Sequence, residues 1–459
     1  MPDLPSEIWS LIHSFLPTPA DRTTFCRLTR SLSLIGLRTS LASLTVFRHL
    51  DDFSTLSLIA SNSAHASFVR SLTYIPFRLE DVVFSDYKRF KDHVQNRGIG
   101  RVWRLYRPSP PEALMKGYYE EVKKVKEMEK RFTVEIEEGL WREVLPKLEG
   151  LREVWMWNGT SFHVESVMVR ELGRTLVERT PFDGTGCCLW PDGRYPGTGM
   201  RGALAMMGGL ENLGGRGVTE LHIGPADWEW LREMPRLEGL MAGLVVLDLQ
   251  FELPVREDES FEDRLGWCRE MLKEGYLRDI LVGMPGVRDL AIRSTPTQKA
   301  MPSNRSMYPV KLEQVIQPGH KWPNLRFLAL GGMHLTRDGL TEILNVHRET
   351  LRRLDLGFVG LDAHWTKSGI LLGIHELLAQ RGLETHFFGF LDGPWEGYEP
   401  GDGYELQWQP SDYYDCSHAA NYGMQKPRWP PTGGGRLANL YDAPTEEDLR
   451  LHLIKGYDR

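Results

Sequence analysis

Leu325-Arg326-Phe327-Leu328-Ala329-Leu330, followed twenty-six residues later by Leu351-Arg352-Arg353-Leu354-Asp355-Leu356, decides the architecture of this chain. Each run then reaches a further leucine, at Leu335 and Leu361. In an extended segment side chains alternate between faces, so leucines two apart point the same way and need a common apolar cover. Leu328 and Leu354 are therefore expected at equivalent inward positions of neighbouring strands, with Arg326, Ala329, Arg352 and Asp355 turned outward.

Weaker copies lie upstream. Val218-Thr-Glu-Leu221-His-Ile223 and Leu244-Val-Val-Leu247-Asp-Leu249 are again twenty-six residues apart. Val287 to Ile292, Leu151 to Met156 and Val69 to Tyr74 repeat the pattern, and Leu383-Glu-Thr-His386-Phe-Phe388 reads as a degenerate last strand. The spacing resembles the leucine-rich repeat, in which a short strand is followed by a returning helix. One such unit cannot bury its apolar side alone, so consecutive units must stack into a curved array with a single parallel sheet on the concave face. The expected fold is α/β or α+β: an irregular solenoid over residues 49–390, interrupted by insertions near 80–146, 157–215 and 293–322.

The N-terminus is different. Pro5 suits a first helical turn, where its missing N–H costs nothing, and Glu7 suits the positive end of the helix dipole. Ile8, Leu11, Ile12, Phe15 and Leu16 follow at helical spacing before Pro17 stops the helix. Thr18-Pro19-Ala20-Asp21 reads as a second capped start, continued by Phe25, Leu28 and Leu32. A third segment carries Leu34, Ile35, Leu37, Leu41 and Leu44. A helical unit this small closes no sufficient core and is expected to be completed by a partner.

Residues 1–48 resemble an F-box, through Leu4, Pro5, Glu7, Ile8, Ile12, Leu16 and Leu28, and differ from its usual pattern at Leu28-Thr29-Arg30 and in lacking a late tryptophan. The resemblance implies docking onto a Skp-type adaptor, and through it onto a cullin scaffold, with Leu4, Pro5, Ile8, Ile12, Leu16 and Leu28 as adaptor-binding residues. An F-box followed by leucine-rich repeats resembles a class of ubiquitin-ligase substrate receptors, including the divergent kind common in fungi. That implies a non-catalytic subunit holding an unidentified protein substrate for ubiquitin-dependent degradation. The alternative is a leucine-rich scaffold whose helical N-terminus is only a cap.

Composition excludes several other classes. At 459 residues, with 41% hydrophobic and 25% charged content, the chain is an ordinary globular protein. No apolar run spans a bilayer and no signal peptide opens the chain, so cytosol or nucleus is expected, without a membrane partner. The net charge of −7 argues against a nucleic-acid partner. Between Lys116 and Lys147 the basic residues alternate with Glu120 to Glu138, as on a solvated helix laced by i,i+4 pairs. Cys26, Cys187, Cys188, Cys268 and Cys416 form no disulfide or zinc framework.

No catalytic, cofactor or metal residue is assigned. Gly197-Thr-Gly199-Met-Arg-Gly202 matches G-x-G-x-x-G, but Pro191, Gly193 and Pro196 occupy the place of the strand that a dinucleotide site requires. HExxH, P-loop and G-x-S-x-G motifs are absent, and His334, His347 and His364 stand singly. Residues 391–459 are expected as an acidic aromatic loop, with Asp392 to Asp415 interleaved among Trp395, Tyr398, Tyr404, Trp408, Tyr413 and Tyr414, then a closing amphipathic helix from Thr445 to Ile454. The loop is read either as a cap on the last repeat or as a surface for basic or proline-rich peptides.

Overall fold

A computed structural model of the chain describes residues 6–16, 24–48, 50–76, 86–92, 131–157, 198–213, 217–252, 261–295, 310–361 and 383–392, with scattered helical positions between 112 and 127. Among the described residues, helices and one eleven-stranded sheet make an α/β architecture. The strands are β1 (Ser43–Phe47), β2 (Ser71–Ile75), β3 (Glu153–Trp157), β4 (Glu220–Asp227), β5 (Val246–Glu252), β6 (Asp289–Thr295), β7 (Val310–Lys311), β8 (Phe327–Gly331), β9 (Met333–Leu335), β10 (Arg353–Leu361) and β11 (Glu384–Asp392). Their order is β1-β2-β3-β4-β5-β6-β8-β10-β9-β7, with β11 on β10, and each of these pairings is parallel.

Register follows the leucines. Leu72, Val154, Leu221, Leu247, Leu290, Leu328 and Leu354 are successive partners across the sheet. Tyr74, Met156, Ile223, Leu249, Ile292, Leu330 and Leu356 form a second row two residues on, and both rows are buried. Leu328 and Leu354 thus occupy equivalent inward positions, as expected. Each buried aliphatic removes enough apolar surface from water to contribute about 1.5–3 kcal/mol. On this face the rows pack with helical residues, among them Trp141, Met207, Leu210, Cys268, Leu281, Leu312 and Leu340.

A backbone ladder fixes where β3, β4, β5, β6, β8 and β10 begin. The carbonyl of Arg70 accepts N–H groups from Arg152 and Glu153, and that of Arg152 accepts from Thr219 and Glu220. The pattern passes through Thr219, Val245, Arg288 and Arg326 to Arg352, whose carbonyl accepts from Glu384.

Several sequence expectations are corrected. The helical segment ends at Ala42, and Ser43–Phe47, assigned to the N-terminal module of 1–48, is strand β1, with Leu44 opposite Leu72. Phe25, Leu28 and Leu32 do not share one helix: the chain breaks at Leu28, and the Thr29 hydroxyl caps a new helix, Arg30–Ala42, by accepting from the Leu32 N–H at 3.1 Å. The Thr18 start lies outside the described residues.

The three insertions also carry core elements. The helix Val134–Val144 lies in the first, Thr198–Glu211 in the second, and β7, the short helix Leu312–Val315 and Trp322 in the third; Trp141, Met206, Leu312 and Trp322 are buried. Of the presumed solvated helix, Arg142–Glu138 at 2.6 Å and Lys147–Glu143 at 2.8 Å are exposed i,i+4 pairs. Glu137, however, is fully buried. The acidic aromatic segment beyond Asp392 and the closing helix lie outside the described residues.

Glu137 is buried because three distant segments meet on it. Arg48 donates from Nε to its Oε2 at 2.7 Å and from Nη2 to the Phe132 carbonyl at 2.6 Å. The Tyr74 hydroxyl donates to the other carboxylate oxygen. Gly202 of the Thr198–Glu211 helix packs onto the same place: a Cβ there would collide with Pro76 and stand 3.3 Å from Glu137 Oε1. Removing one partner of a buried pair strands the other charge, whereas replacing both with apolar groups restores packing. Arg48→Met is expected to lower the unfolding free energy by about 3–5 kcal/mol in urea titrations, and Arg48→Met with Glu137→Leu to recover most of that loss.

Candidate functional site

The N-terminal helices present the first candidate surface. In Ser6–Phe15 the inward residues are Trp9 and His13, whose rings lie 6.0 and 5.7 Å from that of Phe25. Gly36 permits the close approach of Arg30–Ala42, since a Cβ there would strike Cys26 Sγ and stand 3.3 Å from His13 Nε2. The apolar stripe therefore turns away from this contact. Ile8 is 41% exposed, Leu11 52% and Phe15 77%, joined by Leu28 at 56% and Leu34 at 55%. Ile12 and Leu16 are half-buried. Leu4 and Pro5 lie outside the described residues. Exposed large apolar side chains in this number are uncommon on the surface of a monomer.

The second candidate is the face of the sheet opposite the aliphatic rows. Between those rows, on the other side of each strand, Thr73, Trp155, His222, Asp248, Ala291, Ala329 and Asp355 are partners in register. Ala329 and Asp355, expected to be outward, are buried; Arg326 and Arg352 are exposed. Asp355 accepts from Arg353 Nε at 2.8 Å and Nη2 at 2.9 Å, a fork that satisfies both carboxylate oxygens.

At the middle of the row, Arg293 Nη1 donates to both oxygens of Asp248, at 2.9 and 3.0 Å. Burial works to raise the Asp248 carboxyl, but the Arg293 guanidinium, assisted by His222, outweighs it and holds the group below the usual carboxylate range. His222 Nδ1 stands 3.8 Å from Asp248 Oδ2. Its ring stacks on Trp155 with centroids 3.6 Å apart and planes 2° from parallel. Glu153 and Glu220, register partners on the same face, complete a cluster whose donor atoms all lie within 4.8 Å of those of His222.

Of the remaining chemical candidates, Gly202 and His347 make packing contacts. Thr198 begins a helix, so Gly199 and Gly202 lie within its first turns, with Gly202 against Pro76 and Glu137. Cys187, Cys188, Gly197 and His364 lie outside the described residues. His347 is structural: its Nε2 accepts from the Trp322 backbone N–H at 3.0 Å, leaving Nδ1–H to donate to the Ile343 carbonyl at 2.9 Å. Burial lowers its pKa and keeps the imidazole neutral.

Among the described residues, no helix is long and apolar enough to cross a membrane. No family model matches the sequence, and the comparison with curated proteins finds no match.

Asp248→Asn leaves the buried Arg293 without its counter-charge and is expected to cost about 3–5 kcal/mol at neutral pH. The Asp248 pKa is depressed in the folded state, so its contribution is present above the unfolded value of about 3.9 and is lost as pH falls through the lower folded value. Chemical unfolding at a series of pH values should therefore show a constant gap between wild type and Asp248→Asn above pH ~5, closing only in more acid solution.

Proposed function

We propose that the chain is the substrate-recognition subunit of an SCF-type ubiquitin ligase. In this reading the N-terminal helices are an F-box-like module that docks onto a Skp-type adaptor and so onto a cullin. The sheet is the lining of an irregular leucine-rich-repeat solenoid that holds a protein substrate. No residue of the chain makes or breaks bonds, and the protein acts in cytosol or nucleus.

The observation that carries the reading is the outward set Ile8, Leu11 and Phe15 on the first helix, with Leu34 on the helix Arg30–Ala42 and Leu28 at the break before it, all exposed while Trp9, His13 and Phe25 pack together. An amphipathic helix with its apolar side uncovered is suited to a hydrophobic groove on a partner. The twenty-six-residue spacing and in-register leucines support the repeat reading.

A purified Skp-type adaptor is expected to bind the chain in a pull-down and by calorimetry. Leu11→Asp with Phe15→Asp should weaken binding by about 30-fold or more, the effect of losing an anchor worth ~2 kcal/mol. The cooperative unfolding of the remainder should be unchanged, because both side chains are exposed. No binding by wild type, or undiminished binding by the double variant, defeats the ligase reading and favours the scaffold.

A further inference from the structure

The cluster on the polar side of the sheet has the chemistry of a metal site. Glu153 and Glu220 stand opposite each other on β3 and β4, and like charges in that relation repel. His222, two residues beyond Glu220, shares their face, and the donor atoms of all three lie within 4.8 Å of one another.

His222 is the independent pointer to a ligand. It is 3% exposed, and neither ring nitrogen has a hydrogen-bond partner. A buried imidazole in that condition carries a desolvation cost that a metal ion would offset by accepting its lone pair. The ring is also held ready: Trp155 lies flat against it at 3.6 Å, and Asp248, anchored by Arg293 at 2.9 Å, faces Nδ1 from 3.8 Å. Metal-bound histidines characteristically have a carboxylate behind one nitrogen that aims the other at the ion.

We propose that Glu153, Glu220 and His222 bind one divalent transition-metal ion, with zinc the best-suited, and that Asp248 is the positioning residue for the imidazole. Two carboxylates and one imidazole are oxygen and nitrogen donors of the kind zinc takes at about 2.0–2.2 Å. Such donors stand roughly 3.3–3.6 Å apart around a tetrahedral ion. Glu153 and Glu220 are only half-buried, with donor atoms already within 4.8 Å of those of His222. Three protein ligands leave a fourth position for water. Bound there, the ion would neutralise the opposed carboxylates and tie β3 to β4.

The test is zinc titration of the chelator-treated, full-length protein by calorimetry, with stoichiometry from elemental analysis. One ion per chain is expected, with affinity reduced at least tenfold in His222→Gln and in Glu153→Gln while circular dichroism is unchanged. Cobalt(II) in place of zinc should give a spectrum of nitrogen and oxygen donors without thiolate-to-metal charge transfer, a readout that needs no variant to fold. Absence of zinc binding by wild type, undiminished affinity in the folded variants, or a thiolate band overturns the site.

Discussion

Strands β3, β4, β5, β6, β8 and β10 each begin where a single carbonyl just before the neighbouring strand receives two N–H groups, and the rest of the sheet depends on that repeated hydrogen-bond pair. Arg70, Arg152, Thr219, Val245, Arg288, Arg326 and Arg352 each supply such a carbonyl except the last, which accepts from Glu384 alone. Slipping one strand by a residue would carry its aliphatic row to the opposite face. With the starting point fixed, connections of very different length between successive strands leave the rows undisturbed. Two strands separated by twenty-six residues and two separated by more than eighty obey the same register.

The aliphatic side of this arrangement was legible because its signal is local. Leucines at fixed spacing mark a strand whatever follows, so the segments from Val69 to Tyr74 through Leu383 to Phe388 all coincide with strands. The helices inside the insertions were hidden by their own composition. Glu135, Glu137 and Glu138 read as a solvated face, and the partner that draws Glu137 inward, Arg48, is 89 residues away. The N-terminal stripe is legible, but not its direction, because Trp9 and His13 make the inward contact with Phe25, too far along the chain for helical periodicity to show.

The polar side of the sheet is hidden in the sequence for a different reason. Trp155, His222 and Asp248 occupy the same place in their repeats, between the last two aliphatics, and stacking the repeats in register would have brought them together. Read along the chain they are isolated residues. Read across it they form one connected group, in which the Arg293 guanidinium steadies Asp248 and Trp155 supports His222. Burial of these charges is tolerable only because each is held by its neighbour.

The meeting of Arg48, Tyr74, Glu137 and Gly202 has a consequence for the newborn chain. Glu137 leaves the ribosome 89 residues after Arg48, an interval of roughly 4–18 s at ~5–20 residues per second. Until then β1 and β2 have no acidic partner for Arg48 and no Trp141 to seal them, and the helix bearing Gly202 arrives later still. The first-made segments therefore stay apolar and open until residues well downstream have been synthesised.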